Sequence, residues 1–493
     1  YTSAINNTST ITIEDAIFEN ITSSSALVGN KGTITNLTSD FISNSVTVNS
    51  KLSGGGLIGN YSYSSSSSIG DITGDFISNE VTASSVDGGG LIGNFTGSSY
   101  SVSSTIGDIT GGFISNTVTL NSEVRGGGLI GNEYSSSTIG DITGDFISNE
   151  VTASSVYGGG LIGNYSISSS SSHIIGDITG DFISNNVTVN SSVYGGGLIS
   201  NYVWVRSYIS TSTIGDITGD FISNTVTIDK YYLYGGGLIG NYVYNYTSSS
   251  SSTSTIGDIT GDFISNAVTI KNPVDGGGLI GNFASDHKSS VFSSSIGGII
   301  GDFISNEVTA SSVYGGGLIG NHSFNYSSYS TSTSISTSTI GDITGDFISN
   351  AVTIKNPVYG GGLIGNYSSS STSTIGDINS NFYNNILKLT GTSSQTVMSG
   401  VIGNYAYGNN TKATIKSISG TFENNSVIKE SGSATVYAGV IYNSDIITNG
   451  IINSTFKNNY VKLAEGTAYA SVIYTTKDLS INADNGTTLF SGN

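Results

Sequence analysis

GGGLIGN, first complete at Gly54 to Asn60, returns at 88–94, 126–132, 158–164, 235–241, 276–282, 315–321 and 360–366. One further copy at 195–201 carries Ser200 in place of the last glycine. Each copy is preceded by a second block, IGDITGDFISN or a near variant, as at 69–79, 139–149 and 340–350. Self-similarity at a repeated interval is the mark of a stacked array, in which each unit buries its apolar face only against its neighbours.

The phenylalanine of the FxxN block measures the interval. Its steps run from 23 to 44 residues, and the shortest, Phe18 to Phe41, holds three short β-prone pieces joined by turns. Three strands in so few residues match one coil of a parallel β-helix. From the FISN phenylalanine to the next glycine triplet the distance stays at 12 to 14 residues. From the last Asn of GGGLIGN to the next Ile-Gly it varies from 7 (Asn132 to Ile139) to 19 (Asn321 to Ile340). Length variation is thus confined to one corner, where surface loops absorb it at little entropic cost. The Ser- and Tyr-rich inserts, such as 61–68 and 322–339, are expected to decorate one edge as loops.

Within NEVTA at 79–83, Asn79, Val81 and Ala83 share one face and Glu80 and Thr82 the other, the period of a half-buried strand. No 3.6-residue apolar stripe persists, so helix is not expected. For GGGLIGN the alternation leaves open whether Leu or Ile points inward. From about 380 the copies diverge but keep the rhythm, with NFYNN at 381–385, TFENN at 421–425 and TFKNN at 455–459. The reading is an all-β solenoid of about thirteen coils, one body over 1–493. Divergent coils occupy 1–53, near-identical ones 54–380, and divergent ones again 381–493. At ~4.8 Å per coil it spans roughly 60 Å.

Composition agrees with an ordered, polar-skinned β protein. Of 493 residues 68 are glycine and two proline; 10% are charged, and 29 Tyr and 18 Phe help bring hydrophobic content to 36%, too much for a disordered chain. There is no cysteine, which excludes disulfides and Cys-based zinc sites. No apolar run approaches the roughly 18 residues of a membrane helix. A net charge of −19 with scattered basic residues disfavours nucleic acid and anionic membranes as partners. A chain starting at Tyr1 reads as processed or truncated.

GLIG with its trailing Asn resembles the GLUG motif of bacterial surface proteins. Its alternation with FxxN resembles the GGAI and FxxN repeats of polymorphic outer-membrane autotransporters, and the similarity covers nearly the whole chain. The resemblance implies a right-handed parallel β-helical passenger at the cell surface, usually adhesive.

Stacking assigns roles to repeated residues. Phe41, Phe76, Phe113, Phe146, Phe182 and Phe221 are expected to form an interior stack, and Asn44, Asn79, Asn116, Asn149, Asn185 and Asn224 an amide ladder. The glycines fit tight corners better than a phosphate-cradling loop, since GK[ST] and a following helix are lacking. Asp71, Asp108, Asp141, Asp177, Asp216 and Asp258 hold one repeat position; stacked near ~5 Å apart they would repel unless solvated or bridged. Solvated carboxylates are the plain reading and weakly bound Ca²⁺ the alternative, the one cofactor entertained. Tyr157, Tyr194, Tyr234, Tyr314 and Tyr359 precede the glycines and form either an exposed contact row or a stack on the coil. His173, His287 and His322 read as isolated surface residues in variable loops, and Trp204 as a loop residue that packs or binds.

The expected function is that of an extracellular or bacterial-surface structural and adhesive protein. One form is a fibre assembled with copies of itself through coil ends or faces. The other is a monomeric passenger that binds host or neighbouring cells. A polysaccharide-active enzyme is the third reading, and it is weak. A catalytic carboxylate pair should be singular and asymmetric, whereas these acids repeat uniformly, so no enzyme is expected.

Overall fold

A computed structural model of the chain describes residues 3–97, 102–134, 136–167, 171–205, 209–245, 251–286, 291–325, 335–408, 411–483 and 488–493. Among these, every regular element is a strand. The strands form three parallel sheets wound as a solenoid, and each coil contributes to all three. Ile58–Asn60 pairs with Ile92–Asn94, Phe76–Ile77 with Phe113–Ile114, and Glu80–Ala83 with Thr117–Leu120, each residue on its repeat equivalent. The LIGN sheet has 14 strands, close to the coil number expected.

The sequence explains each corner. After FI the serine takes a left-handed conformation, as at Ser78 (φ 54°) and Ser148 (φ 55°), and in the divergent coils Asn384, Asn424 and Asn458 stand there instead. The next residue is the buried Asn. Asn79 Nδ2 donates to the Phe41 carbonyl at 2.7 Å and to Asn116 Oδ1 at 3.0 Å, while Asn44 Nδ2 donates to Asn79 Oδ1 at 2.9 Å. The corner is therefore tied to the coils above and below it.

At the second corner the glycines are dictated by crowding. A Cβ on Gly89 would lie 1.9 Å from the Ile92 carbonyl oxygen, and one on Gly90 would lie 2.0 Å from that of Gly128. The bend falls at Gly56 and Leu57, just before the strand begins at Ile58, and both Leu57 and Ile58 are buried. The open register is thus resolved by a turn between the two side chains, and both enter the core. A Cβ on Gly93 would meet the Gly54 carbonyl at 2.0 Å, so the preceding glycine segment lies across the outer face of the LIGN strand.

The third corner carries a second amide ladder that sequence reading did not assign. Asn30 Nδ2 donates to Asn60 Oδ1 at 2.8 Å, Asn60 to Asn94 at 3.0 Å and Asn132 to Asn164 at 3.0 Å. Inside, the phenylalanine stack is continuous: Phe113–Phe146 and Phe182–Phe221 ring centroids lie 4.7 and 4.8 Å apart, with planes within 2° of parallel. It runs on into the divergent coils, with Phe422–Phe456 at 4.9 Å.

The inserts depart from expectation. Tyr202, Val203 and Trp204 pair in register with Tyr242, Val243 and Tyr244, and Ser251–Ile256 pairs with Val291–Ile296. They are strand extensions as well as loops, because neighbouring copies of similar length supply each other with backbone partners. Val203, Val243 and Phe292 make a small apolar cluster inside this extension.

Candidate functional site

Two outward positions of each coil meet where the glycine segment crosses the LIGN strand. One is the residue before the glycines and the other the residue after the LIGN Asn. In the early coils they are mixed, Ser53 with Tyr61, Asp87 with Phe95 and Arg125 with Glu133, and the charged ones are paired. Lys51 pairs with buried Asp87, and Arg125 lies 2.6 Å from Glu123 and 3.9 Å from Glu133. Burial pushes the Glu133 carboxyl well up, and the charges of Lys51 and Arg125 pull it back.

From Tyr157 onward both positions turn aromatic. Tyr157–Tyr194 and Tyr194–Tyr234 stack at 4.9 and 5.2 Å, and Tyr314–Tyr359 at 5.1 Å. Beside them runs a second column: Tyr165–Tyr202 at 5.4 Å, Tyr202–Tyr242 at 5.1 Å, Tyr242–Phe283 at 5.0 Å and Phe283–His322 at 4.6 Å. Trp204, Tyr244 and Phe324 stand on the strand extensions as the opposite wall. Offset ring stacks at this spacing stabilise the columns and leave a trough with an aromatic floor and walls.

The trough deepens at one coil. There Asp275 occupies the tyrosine position, in register between Tyr234 and Tyr314. Ser285 occupies the large-aromatic position, between Tyr244 and Phe324. Two small side chains in place of two rings leave a gap in the trough, whose free volume between Tyr157 and Tyr367 is about 610 Å³ in all. His322 forms part of its floor. It is 2% exposed, stacked on Phe283 and edge-on to Tyr367 at 4.7 Å, and neither ring nitrogen has a hydrogen-bond partner.

His322 Nδ1 lies 3.7 Å from Asp275 Oδ1, an ion-pair distance if both were charged. Burial opposes that. It lowers the imidazole to about 3 and raises the carboxyl to about 7, so the imidazole stays neutral at neutral pH. The unfolded groups titrate near ~6.5 and ~3.9. Folded Asp275 keeps a proton that the unfolded chain has released, so its ionisation removes stability as pH rises from about 4 to about 7. His322 has the opposite sign: its contribution is complete above pH ~6.5 and is lost as pH falls toward 3. The melting temperature of Asp275→Asn is therefore expected to climb more steeply than the parent's between pH 4 and 6.5. That of His322→Phe is expected to fall relative to the parent over the same range. Parallel profiles for all three chains would contradict this assignment.

No known protein family, curated protein or solved structure matches the chain.

Of the residues singled out from sequence, the tyrosines come together as a half-buried stack forming one wall of the trough, interrupted at Asp275. Trp204 lines the trough from a strand extension. The histidines overturn the surface reading. His173 is buried on the strand Ser172–Ile175, facing inward in register with Ser137 and Ser212, and His322 is buried on Ile319–Asn325 at the outward position, covered by Phe283, Tyr314 and Tyr367. His287 lies outside the described residues. The aspartates serve as backbone acceptors. Asp71 Oδ1 receives the Asp108 N–H at 3.1 Å, Asp108 that of Asp141 at 2.9 Å and Asp177 that of Asp216 at 2.8 Å. Among the described residues no three acids or histidines are grouped to hold a metal ion. Asp275 and Ser285 went unremarked in the sequence. The available signal was their place in the alternation, as small residues where neighbouring copies carry rings.

Proposed function

We propose that the chain is an extracellular adhesive rod, displayed on a bacterial surface, that captures its ligand in the aromatic trough. One observation carries the reading. Within the aromatic stretch from Tyr157 to Tyr367, one coil carries Asp275 and Ser285 where the coils on both sides carry rings, in a trough of about 610 Å³. Ligand sites are typically concave and mostly apolar, with few placed polar groups, and tyrosine supplies contact area at low entropic cost. The resemblance to surface passengers and the Ser/Thr-rich composition accord with an extracellular place.

Beads coated with the chain are expected to adhere under flow to some members of a panel of bacterial and animal cells. Tyr234→Ser with Tyr314→Ser gives these positions the residue found at Ser53 in the same register. This double variant should lower retention at least tenfold, the scale of losing contacts worth about 1 kcal/mol each at an interface centre. Equal retention by a variant with unchanged circular dichroism would remove the trough from the adhesive role.

A further inference from the structure

Resting on the reading of the trough as a binding site, we propose that its cavity receives a quaternary ammonium group, held between the faces of Tyr234 and Tyr314 with the Asp275 carboxylate as counter-charge.

The first argument is dimensional. Adjacent rings in this column stack at 4.9 to 5.2 Å. With one ring missing, Tyr234 and Tyr314 are two coil spacings apart, roughly 10 Å at ~4.8 Å each. A group midway sits ~5 Å from both centroids, inside the ~6 Å at which a cation is attracted to a ring face. A flat ring or guanidinium makes contact at ~3.5–4.0 Å and would leave slack on one side. A methylated ammonium, thick in every direction, fills the gap.

The second argument is charge. Among the described residues Asp275 is the one acid in the cavity lining and no lysine or arginine lines it, and the whole chain carries −19. An anionic ligand would meet repulsion and find no counter-ion. A cation meets a carboxylate that is 17% exposed, already desolvated and lacking an ionised partner because His322 stays neutral. Phe283, stacked between Tyr242 at 5.0 Å and His322 at 4.6 Å, closes the floor beneath. The buried, unpartnered nitrogens of His322 mark the floor as a place where a polar ligand substituent finds a hydrogen bond, as the hydroxyl of a choline-type group would.

Binding also acquires a pH dependence of definite sign. Among the described residues the groups facing Asp275 are His322, Tyr234, Tyr314 and Tyr367; the imidazole is neutral above about pH 3, and burial raises Tyr314 and Tyr367. Asp275 alone therefore changes charge between pH 5.5 and 8.5, with its carboxyl at about 7. Cation affinity should rise with pH across that range by tenfold or more.

The test is calorimetric titration of the full chain at pH 8.5 with choline and with its uncharged isostere 3,3-dimethylbutan-1-ol. Choline is expected to bind at least tenfold more tightly, and to weaken tenfold or more at pH 5.5. Asp275→Asn should lose the preference for charge. Asp275→Tyr, which gives this coil the residue of its neighbours, should refill the gap and abolish binding while melting as a folded solenoid. Equal affinity for both compounds, or choline binding that survives Asp275→Tyr, overturns the proposal. Phosphatidylcholine vesicles distinguish the source: co-sedimentation lost in Asp275→Tyr assigns a lipid headgroup, and choline binding without co-sedimentation assigns a soluble or polymer-borne ammonium. If the Tyr234→Ser, Tyr314→Ser variant loses cell adhesion but Asp275→Tyr and excess choline leave it intact, the trough keeps its adhesive role and the ammonium assignment alone falls. Protection of the cavity by neutral oligosaccharides in place of choline would have the same consequence.

Discussion

Asn224→Leu is expected to destabilise the solenoid by roughly 3–6 kcal/mol, far beyond the ~1 kcal/mol of an ordinary hydrogen bond, because it leaves buried groups of two neighbouring coils without partners. Asn224 is fully buried. Its Nδ2 donates to the Phe182 carbonyl at 2.6 Å and to Asn266 Oδ1 at 3.0 Å. Its Oδ1 accepts both the backbone N–H and the side-chain amide of Asn185, each at 3.0 Å. Leucine has similar bulk, so the lost volume is small and polar disconnection dominates. Orphaned donors and acceptors each cost about 1–3 kcal/mol, and at least two are created. Asn224→Asp tests the same ladder differently, since a carboxylate accepts but cannot donate to Phe182. Guanidinium melts of parent and variants measure the loss. A leucine variant within 1 kcal/mol of the parent would show that the ladder decorates the corner without holding it.

The solenoid was legible because the repeat states its own register. Once Phe76 is placed over Phe113 and Asn79 over Asn116, a shift of one residue would expose every inward side chain. The Phe and Asn columns follow directly. What alternation could not supply was the conformation of the corners. Leu57 and Ile58 are adjacent and both enter the core, which no period-2 pattern predicts, because the bend between Gly56 and Ile58 rotates one relative to the other. The inserts were misread for a related reason. A Ser- and Thr-rich stretch looks like loop when read alone, yet Ser252, Ser254 and Ser294 are buried in paired strands because the copies above and below complete their hydrogen bonding. His173 moved inside with them, and His322 went beneath the aromatic rings of the trough. The trough was half legible. The tyrosine row before the glycines was visible as a column, but its meeting with the residue after the LIGN Asn depends on the glycine segment crossing the neighbouring strand. That crossing is set by backbone approach, as the missing Cβ at Gly93 records, and not by any side-chain period.

Phe221→Ala is expected to cost about 3–5 kcal/mol, the range for deleting a buried aromatic ring. Phe221 is fully buried, 4.8 Å from Phe182 and from Phe263 with planes 2° and 1° from parallel. Its removal leaves a gap that two flanking rings cannot close, because the backbone ladder fixes them one coil spacing away on either side. Where the defect sits matters as much as its size. In a solenoid each coil contacts only its neighbours, so stability is close to a sum of coil and interface terms. A weakened interface at mid-length should therefore divide the cooperative unit, and a single calorimetric transition is expected to separate into two. Phe221→Leu separates the contributions: it restores most of the apolar volume and forfeits the stacking, worth about 0.5–1.5 kcal/mol beyond area burial. At the other extreme Phe490, 49% exposed and stacked on Phe456 alone among the phenylalanines, should tolerate alanine with a loss well below that at Phe221. If Phe221→Ala and Phe490→Ala shift the melt equally, the phenylalanine column is not the continuous core that binds one coil to the next.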